Sequence, residues 1–116
     1  MNTKSPECWA SDPNVHGVKI ELSAGGSLLL PFDQFAFAEL KVEGKQQLLR
    51  IVFATHEVLL HGHALRRIET AMQRMELSFL TKLPSNQRAL FADGQPVIEE
   101  IFIDELVKSN ARCFDA

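Results

Sequence analysis

A chain of 116 residues fits a single domain, which at this size can bury a hydrophobic core without disulfides or a structural metal. Its composition is 46% hydrophobic and 23% charged, which excludes a wholly disordered, collagen-like or low-complexity chain. The net charge of −3 is unevenly spread, because residues 45–88 hold seven Lys or Arg against three Asp or Glu. Such a basic middle between acidic flanks is more often paired within the molecule than reserved for an anionic partner.

The two cysteines lie near opposite ends of the chain, and their positions help to predict the cellular compartment. Cys8 and Cys113 match neither a disulfide framework nor the paired spacing of zinc ligands. The first residues lack the continuous apolar run of a secretory signal, and no segment has the apolar length needed to cross a bilayer. We therefore expect reduced thiols, a cytoplasmic protein and no membrane partner.

Residues 1–14 show no periodicity and contain Pro6 and Pro13, which predicts a flexible N-terminal arm. Trp9 is exceptional in such an arm, because an indole ring is costly to leave in water. We expect this ring to dock on its own domain or, as the second alternative, on a neighbouring subunit.

Two strands joined by a glycine turn follow the arm. In residues 18–22 apolar side chains alternate with charged ones, which is the pattern of a half-exposed strand. The glycine pair at 25–26 supplies the positive dihedral angles of a hairpin turn. Residues 28–31 begin a second strand, which Pro31 limits. An antiparallel hairpin is predicted.

The hairpin, followed by Phe32, Asp33 and Leu40, resembles the opening motif of the Sm-like RNA-binding barrels over residues 18–60. That family also runs through five bent strands. The interval between the glycine pair and Phe32 is shorter here than in the family, the family's preceding helix has no counterpart, and its second motif is missing. We therefore assign no family from the sequence.

The third predicted strand, residues 35–43, has two unlike halves. Its second half alternates cleanly, with charged side chains on one face. In the first half Phe35 and Phe37 fall on the same face as those charges, so apolar side chains occupy both faces there. We predict that another element or a partner covers this half. The candidate interface residues are Phe35, Phe37 and Trp9.

Residues 47–54 and 57–61 are predicted as two more strands, since β-branched and aromatic residues concentrate there. From residue 63 to residue 75 the apolar spacing becomes that of a helix. The predicted buried stripe consists of Leu65, Ile68, Met72 and Met75. One alternative stays open, because the heptad spacing extends back to Ile51 and would thread one long helix through the whole stretch, with Gly62 inside it.

The last third of the chain predicts one strand clearly and a second less clearly. Residues 76–83 return to alternation, with Leu77, Phe79 and Leu83 on the inner face. A loop with a short turn at residues 88–91 follows. Residues 97–107 fit either a helix or a strand, and we favour a strand through residue 103.

These elements predict an α+β fold, in which a strongly curved antiparallel sheet of about six strands forms a small roll or partly open barrel. The main amphipathic helix, residues 63–75, is expected to pack on one side of the sheet or to plug one end of the barrel. Residues 15–108 form the single domain, and residues 109–116 a frayed C-terminal tail.

The sequence offers few groups for chemistry. His56, His61 and His63 cluster, but an odd separation puts the first two on opposite faces of a strand, and only Glu57 adds a carboxylate nearby. Neither a nucleophile elbow nor a glycine-rich phosphate loop is present. The adjacent pair of glutamates at 99–100 would diverge. We expect no catalytic residue, no cofactor and no resident metal.

The leading hypothesis is therefore a small non-catalytic interaction or accessory module that self-associates, with a homo-oligomer or an unidentified protein as its partner. An alternative is anion or nucleic-acid binding through a basic helix face, although the acidic net charge argues against a nucleic-acid partner. The candidate anion-binding residues are Arg50, Arg66, Arg67, Arg74 and Lys82. A metal-dependent enzyme that uses the His56, His61 and His63 cluster is the third hypothesis.

Overall fold

The computed structural model describes residues 8–84 and 94–106, which form an α+β fold. Its strands are β1 Trp9–Ser11, β2 Gly17–Glu21, β3 Ser27–Pro31, β4 Phe35–Glu43, β5 Gln46–Phe53, β6 His56–His63, β7 Leu77–Leu80 and β8 Val97–Glu105. The helix α1, Arg66–Gln73, lies between β6 and β7. A short 3-10 turn, Phe32–Gln34, connects β3 to β4.

The strands form two open sheets of four strands each. The first sheet has the order β1-β7-β2-β3, and the second has the order β4-β5-β6-β8. Among the described strands every pairing is antiparallel except that between β2 and β7. The predicted single sheet of about six strands is therefore wrong, whereas the α+β class and the mainly antiparallel pairing are confirmed. The 3-10 turn lies where the chain passes from the first sheet to the second.

One hydrophobic core lies between the two sheets and α1. Its fully buried large side chains include Ile20 and Leu80 from the first sheet, Leu49 and Leu60 from the second, and Ile68 from the helix. Burial of each such side chain contributes roughly 1.5–3 kcal/mol. The core thus fixes which faces of the two sheets remain available to a partner.

The helix is shorter than the sequence predicted. β6 continues through His63, which pairs with Val97, so the helix begins at Arg66 rather than at residue 63. Leu65 at its N-terminus is buried, and the Leu65 N–H donates a hydrogen bond to Gln47 Oε1 at 2.6 Å. The strand–strand–helix order excludes the alternative of one long helix from residue 51.

The C-terminal end of the helix corrects one core assignment. Met75 lies beyond the helix with φ of 57°, and its side chain is 39% exposed. It was predicted to be in the buried stripe, but the left-handed backbone turns it away from the core. Met72, one helical turn earlier, is fully buried as predicted.

An irregularity in β7 corrects a second assignment. The pairing of β1 with β7 shifts register between Ala10 and Ser11, so both Leu77 and Leu80 are buried. Phe79, predicted on the inner face, pairs with the exposed Lys19 and is only half-buried. A β-bulge allows two residues three apart to share a face, which strict alternation does not allow.

Both ends of the described chain form strands, the first within the predicted flexible arm and the second where a strand was favoured. Residues 9–11 form β1 within the predicted arm, and Trp9 packs against the core of its own domain. Cys8 is fully buried, and its Sγ donates to the Pro96 carbonyl at 3.4 Å. Residues 97–105 form a strand, which settles the ambiguity in favour of β8. Residues 1–7, the turn at 88–91, Cys113 and the tail at 109–116 lie outside the described residues.

No helix in the described ranges, 8–84 and 94–106, has the length and apolar character needed to span a membrane.

Candidate functional site

The outward side of the second sheet brings together three of the residues that the sequence singled out, Phe37, Arg50 and His61. Pairing aligns residues of all four strands into three rows across this surface. The buried residues of β5 and β6 alternate with them and face the core, except for Val52, which is buried within one of these rows. We call this surface the outer sheet face. Its rows are Phe37, Val52, Glu57 and Asp104; Glu39, Arg50, Leu59 and Phe102; and Lys41, Leu48, His61 and Glu100.

Arg50 is the centre of this surface. Its Nε atom is hydrogen-bonded to Glu57 Oε2, and its Nη1 atom lies 3.7 Å from Glu39 Oε1. Its guanidinium also lies over the Phe37 ring, 5.3 Å from the centroid. The hydrogen bond to Glu57 raises the pKa of Arg50, and the charges of both carboxylates add to this effect, although desolvation opposes it. Arg50 therefore stays charged and already has carboxylate partners on both neighbouring strands.

The structure separates the two phenylalanines that the sequence placed on one face. The pairing of β4 with β5 shifts register between Phe35 and Phe37. As a result Phe35 packs against the core, edge-on to Phe53, whereas Phe37 is 46% exposed on the outer sheet face. The shared face was a wrong prediction, because it assumed unbroken alternation. Of the three candidate interface residues only Phe37 lies on this surface, since Trp9 packs against the core elsewhere.

The outer sheet face mixes apolar and charged groups. Phe37 on β4 and Phe102 on β8 are exposed at its two sides, the latter at 57%. Leu48, Val52 and Leu59 lie between them and are at least partly buried. Aromatic side chains are enriched in protein interfaces whereas charged side chains are depleted from their centres, so the two exposed rings, and not the ion pairs between them, are the features of this surface that resemble an interface.

The histidines do not converge. His56 shares a hydrogen bond of 2.7 Å with Thr55 Oγ1, while His63 contacts Glu99 Oε2 at 2.7 Å and the Lys45 carbonyl at 3.0 Å. His61 lies on the outer sheet face. Within residues 8–84 and 94–106, no group of three or more potential ligands is positioned to hold a metal ion. The hypothesis of a metal centre built from these three residues therefore finds no geometric support there.

The five candidate anion-binding residues occupy three separate places. Arg50 lies on the outer sheet face, and Lys82, just after β7, has its Nζ 3.4 Å from Glu100 Oε2. Arg66 and Arg67 on α1 and Arg74 at its C-terminal cap are exposed. Arg66, Arg67 and Arg74 are the three candidates that lie on or next to α1. A basic surface built from all five residues is therefore not formed, and these three remain as candidates.

A cleft of about 260 Å³ lies where the end of β2 approaches the segment after β7. It is lined by Glu21, Leu22, Ser23, Thr81, Lys82 and Pro84. None of these lining residues is a histidine or cysteine that could activate or replace the serine hydroxyl, and the lysine is paired with Glu100. The arrangement does not form a nucleophile–base pair.

The exposed edge of β4 was not predicted from the sequence. Among the described strands β4 pairs with β5 alone, and its exposed residues include Glu39, Lys41 and Val42, the last at 51%. An edge strand presents unpaired backbone N–H and C=O groups that another strand can bind. The signal was available in the alternating charges of residues 39–43, but only the sheet order shows that this strand is an edge.

Comparison of the chain with protein-family models, with curated proteins and with solved structures finds no significant match. The outer sheet face and the edge of β4 are the two features from which a function can be argued.

Proposed function

We propose that this protein is a small, non-catalytic interaction module that self-associates through the β4 side of its second sheet. The observation that carries the proposal is the combination of an edge strand of nine residues with two exposed large apolar side chains on it, Phe37 and Val42. Long edges with apolar side chains are a liability that proteins cover, charge or use for pairing. Pairing with a second copy of the chain covers this edge, and no other protein is needed for it.

A non-catalytic role is supported by how the polar groups are engaged. The Arg50 side chain is bound to Glu57 and Glu39, and His63 is bound to Glu99. Both ring nitrogens of His63 are engaged, because the Lys45 carbonyl contacts the second one, so neither is left to act as a base on a substrate. A cytoplasmic location remains part of the proposal.

A second candidate function is anion binding by α1. The observation in its favour is the exposure of Arg66, Arg67 and Arg74 on one short element. It ranks below self-association because the acidic net charge of −3 opposes accumulation of polyanions. The two candidates differ in their salt response, since phosphate binding weakens steeply with salt.

Light scattering combined with sedimentation equilibrium at micromolar concentrations tests the proposal. We expect a mass above that of one chain, and we expect Phe37→Ser to weaken association by about tenfold, because the exposed half of a phenyl ring is worth roughly 1–1.5 kcal/mol when buried. Leu29→Ser is the matched control, since Leu29 is 67% exposed on a different edge strand, β3. A monomer at every concentration, or equal effects of the two substitutions, contradicts the proposal.

A further inference from the structure

Within residues 8–84 and 94–106 the two sheets have four edge strands, and three of these strands carry features that discourage pairing. β1 has three residues, and β3 has five and ends in Pro31. Short edges and proline are common protections against association. β8 has nine residues, but its charged residues are all acidic, so two copies offer each other no opposite charge. These acidic residues are Glu99, Glu100, Asp104 and Glu105.

β4 is the least protected of the four, although the irregularity between Phe35 and Phe37 confines its regular part to residues 37–43. It has nine residues, contains no proline and carries charges of both signs on its exposed face. Leu40 is flanked by Glu39 on one side and Lys41 on the other, so the sequence around Leu40 is complementary to itself when the strand is reversed. Glu39 and Lys41 are exposed, and no described strand pairs with this side of β4.

We propose that β4 pairs antiparallel with β4 of a second copy, about a two-fold axis through Leu40. The inference rests on the proposed self-association and names its contact. In this register Leu40 faces Leu40 of the partner subunit, and each Glu39 faces the partner's Lys41. The two second sheets then form one continuous sheet of eight strands, since each contributes four. Such an isologous contact closes on itself and gives a dimer rather than a filament.

Neighbouring registers are less favourable. The inner faces of both sheets stay on the same side only when the two-fold axis passes through a residue of the strand. The neighbouring registers therefore have their axes one or two residues away from Leu40. An axis at Lys41 places Lys41 against the partner's Lys41 and Glu39 against the partner's Glu43, so like charges meet. An axis at Val42 again sets opposite charges against each other, but the overlap within β4 shrinks to residues 41–43, and the turn residue Gly44 lies against the partner's Leu40. The axis at Leu40 pairs the whole span of residues 37–43, forms two opposite-charge pairs between Glu39 and the partner's Lys41, sets Phe37 against the partner's Glu43, and brings no like charges together.

The same register accounts for the exposed apolar side chain at the end of the strand. Val42, which is 51% exposed in one chain, faces Ala38 of the partner subunit and becomes covered. On the outer sheet face the row of Arg50 and Glu39 continues into the partner's Lys41, so charges alternate across the boundary between copies. Opposite charges directly across a strand pair stabilise it, and like charges destabilise it.

Charge reversal tests the register. In a dimer of the Glu39→Lys variant, lysines occupy positions 39 and 41 of both chains and face each other. In a dimer of the Lys41→Glu variant, glutamates occupy these positions and face each other. We expect each single variant to raise the dissociation constant at least about tenfold. An equimolar mixture of the two single variants should form a heterodimer, because each chain then supplies the charge that the other needs. The double variant Glu39→Lys with Lys41→Glu should recover the wild-type dimer.

Sedimentation velocity and native mass spectrometry, which resolves heterodimers by mass, give the readout, and circular dichroism checks that each variant is folded. Lys19→Glu is the matched control, because Lys19 is exposed on β2, an interior strand of the first sheet, and its reversal should leave the dimer unchanged. Dimers that persist in both single variants overturn the β4 register while leaving self-association intact. A wild-type chain that stays monomeric overturns both proposals. Polymers that lengthen with concentration also overturn the register, since they indicate β4 pairing with β8 of the next copy.

Discussion

The ring of Phe35 meets the ring of Phe53 edge-on, with centroids 5.8 Å apart and planes at 65°. This contact lies at the register shift in the pairing of β4 with β5, and it draws Phe35 to the core. Phe37, two residues later, is left on the outside beneath the guanidinium of Arg50. One irregular residue in the strand thus gives two phenylalanines different roles, the first in stability and the second in surface contact.

Alanine substitution of the two rings should therefore give unequal results. Phe35→Ala removes a partly buried ring and its edge-on contact, which should lower the free energy of unfolding by about 2–4 kcal/mol. Phe37→Ala removes a half-exposed ring and one exposed cation–π contact, which should cost less than about 1 kcal/mol. Urea denaturation at a protein concentration low enough to favour monomer measures both. Equal losses would show that Phe37 contributes as much to the core as Phe35.

Gly62 lies against the backbone of β8 so closely that a side chain has no room. A Cβ atom at this position would lie 1.9 Å from the Val97 carbonyl oxygen, and backbone cannot yield as a flexible side chain does. Gly62→Ala should therefore separate β6 from β8 and lower stability by about 2–4 kcal/mol. Gly26→Ala is the control, because its nearest neighbour is Leu22 Cδ1 at 3.8 Å and the change should stay within about 1 kcal/mol. A thermal melt that finds the two variants alike would contradict this close packing.

The bounds of β4 could be predicted from the sequence, whereas the order of the strands in the two sheets could not. Alternation predicted the bounds of β4, residues 35–43, and the change of spacing predicted one helix that contains Ile68 and Met72. These are local patterns set by backbone periodicity. The division into two sheets was not predicted, because β7 pairs with β1 and β2, which lie about 60 or more residues away. Pairing over such separations leaves no periodic trace in the chain.

The candidate site, like the fold, could be predicted from the sequence only in part. Sequence identified Phe37 and Arg50 separately, the first as an interface residue and the second as an anion-binding one. Only the pairing of β4, β5 and β6 brings Arg50 between Glu39 and Glu57 and over the Phe37 ring. The register shift near Phe35 was hidden as well, because a bulge is set by how two strands meet rather than by either strand alone.

The helix provides a test of the core against its solvent side. Leu65 and Arg67 lie two residues apart, the first fully buried and the second exposed. Leu65→Ala should lower the free energy of unfolding by about 2–5 kcal/mol, through lost transfer energy and the cavity left behind. Arg67→Ala should stay within about 0.5 kcal/mol. Urea denaturation of the two variants measures both free energies of unfolding. Equally small losses would show that the packing of Leu65 at the start of α1 contributes little to the core.

Binding of a single-stranded oligonucleotide tests the ranking of self-association above polyanion binding. Two of the five basic candidates already have carboxylate partners, since Arg50 pairs with Glu57 and Lys82 with Glu100. The remaining three, Arg66, Arg67 and Arg74, lie on or beside a helix of eight residues that contains no aromatic residue for base stacking. We therefore expect fluorescence anisotropy at low salt to detect no sub-micromolar binding.

The contrary result has a distinct signature. Binding through phosphates would weaken linearly on a logarithmic scale as salt rises, with a slope that reports the number of contacts. It would also be abolished by the double variant Arg67→Glu with Arg74→Glu, whereas Lys41→Glu, away from the helix, would affect the β4 contact instead. Sub-micromolar affinity with both properties would place anion binding by α1 above self-association as the function of this chain.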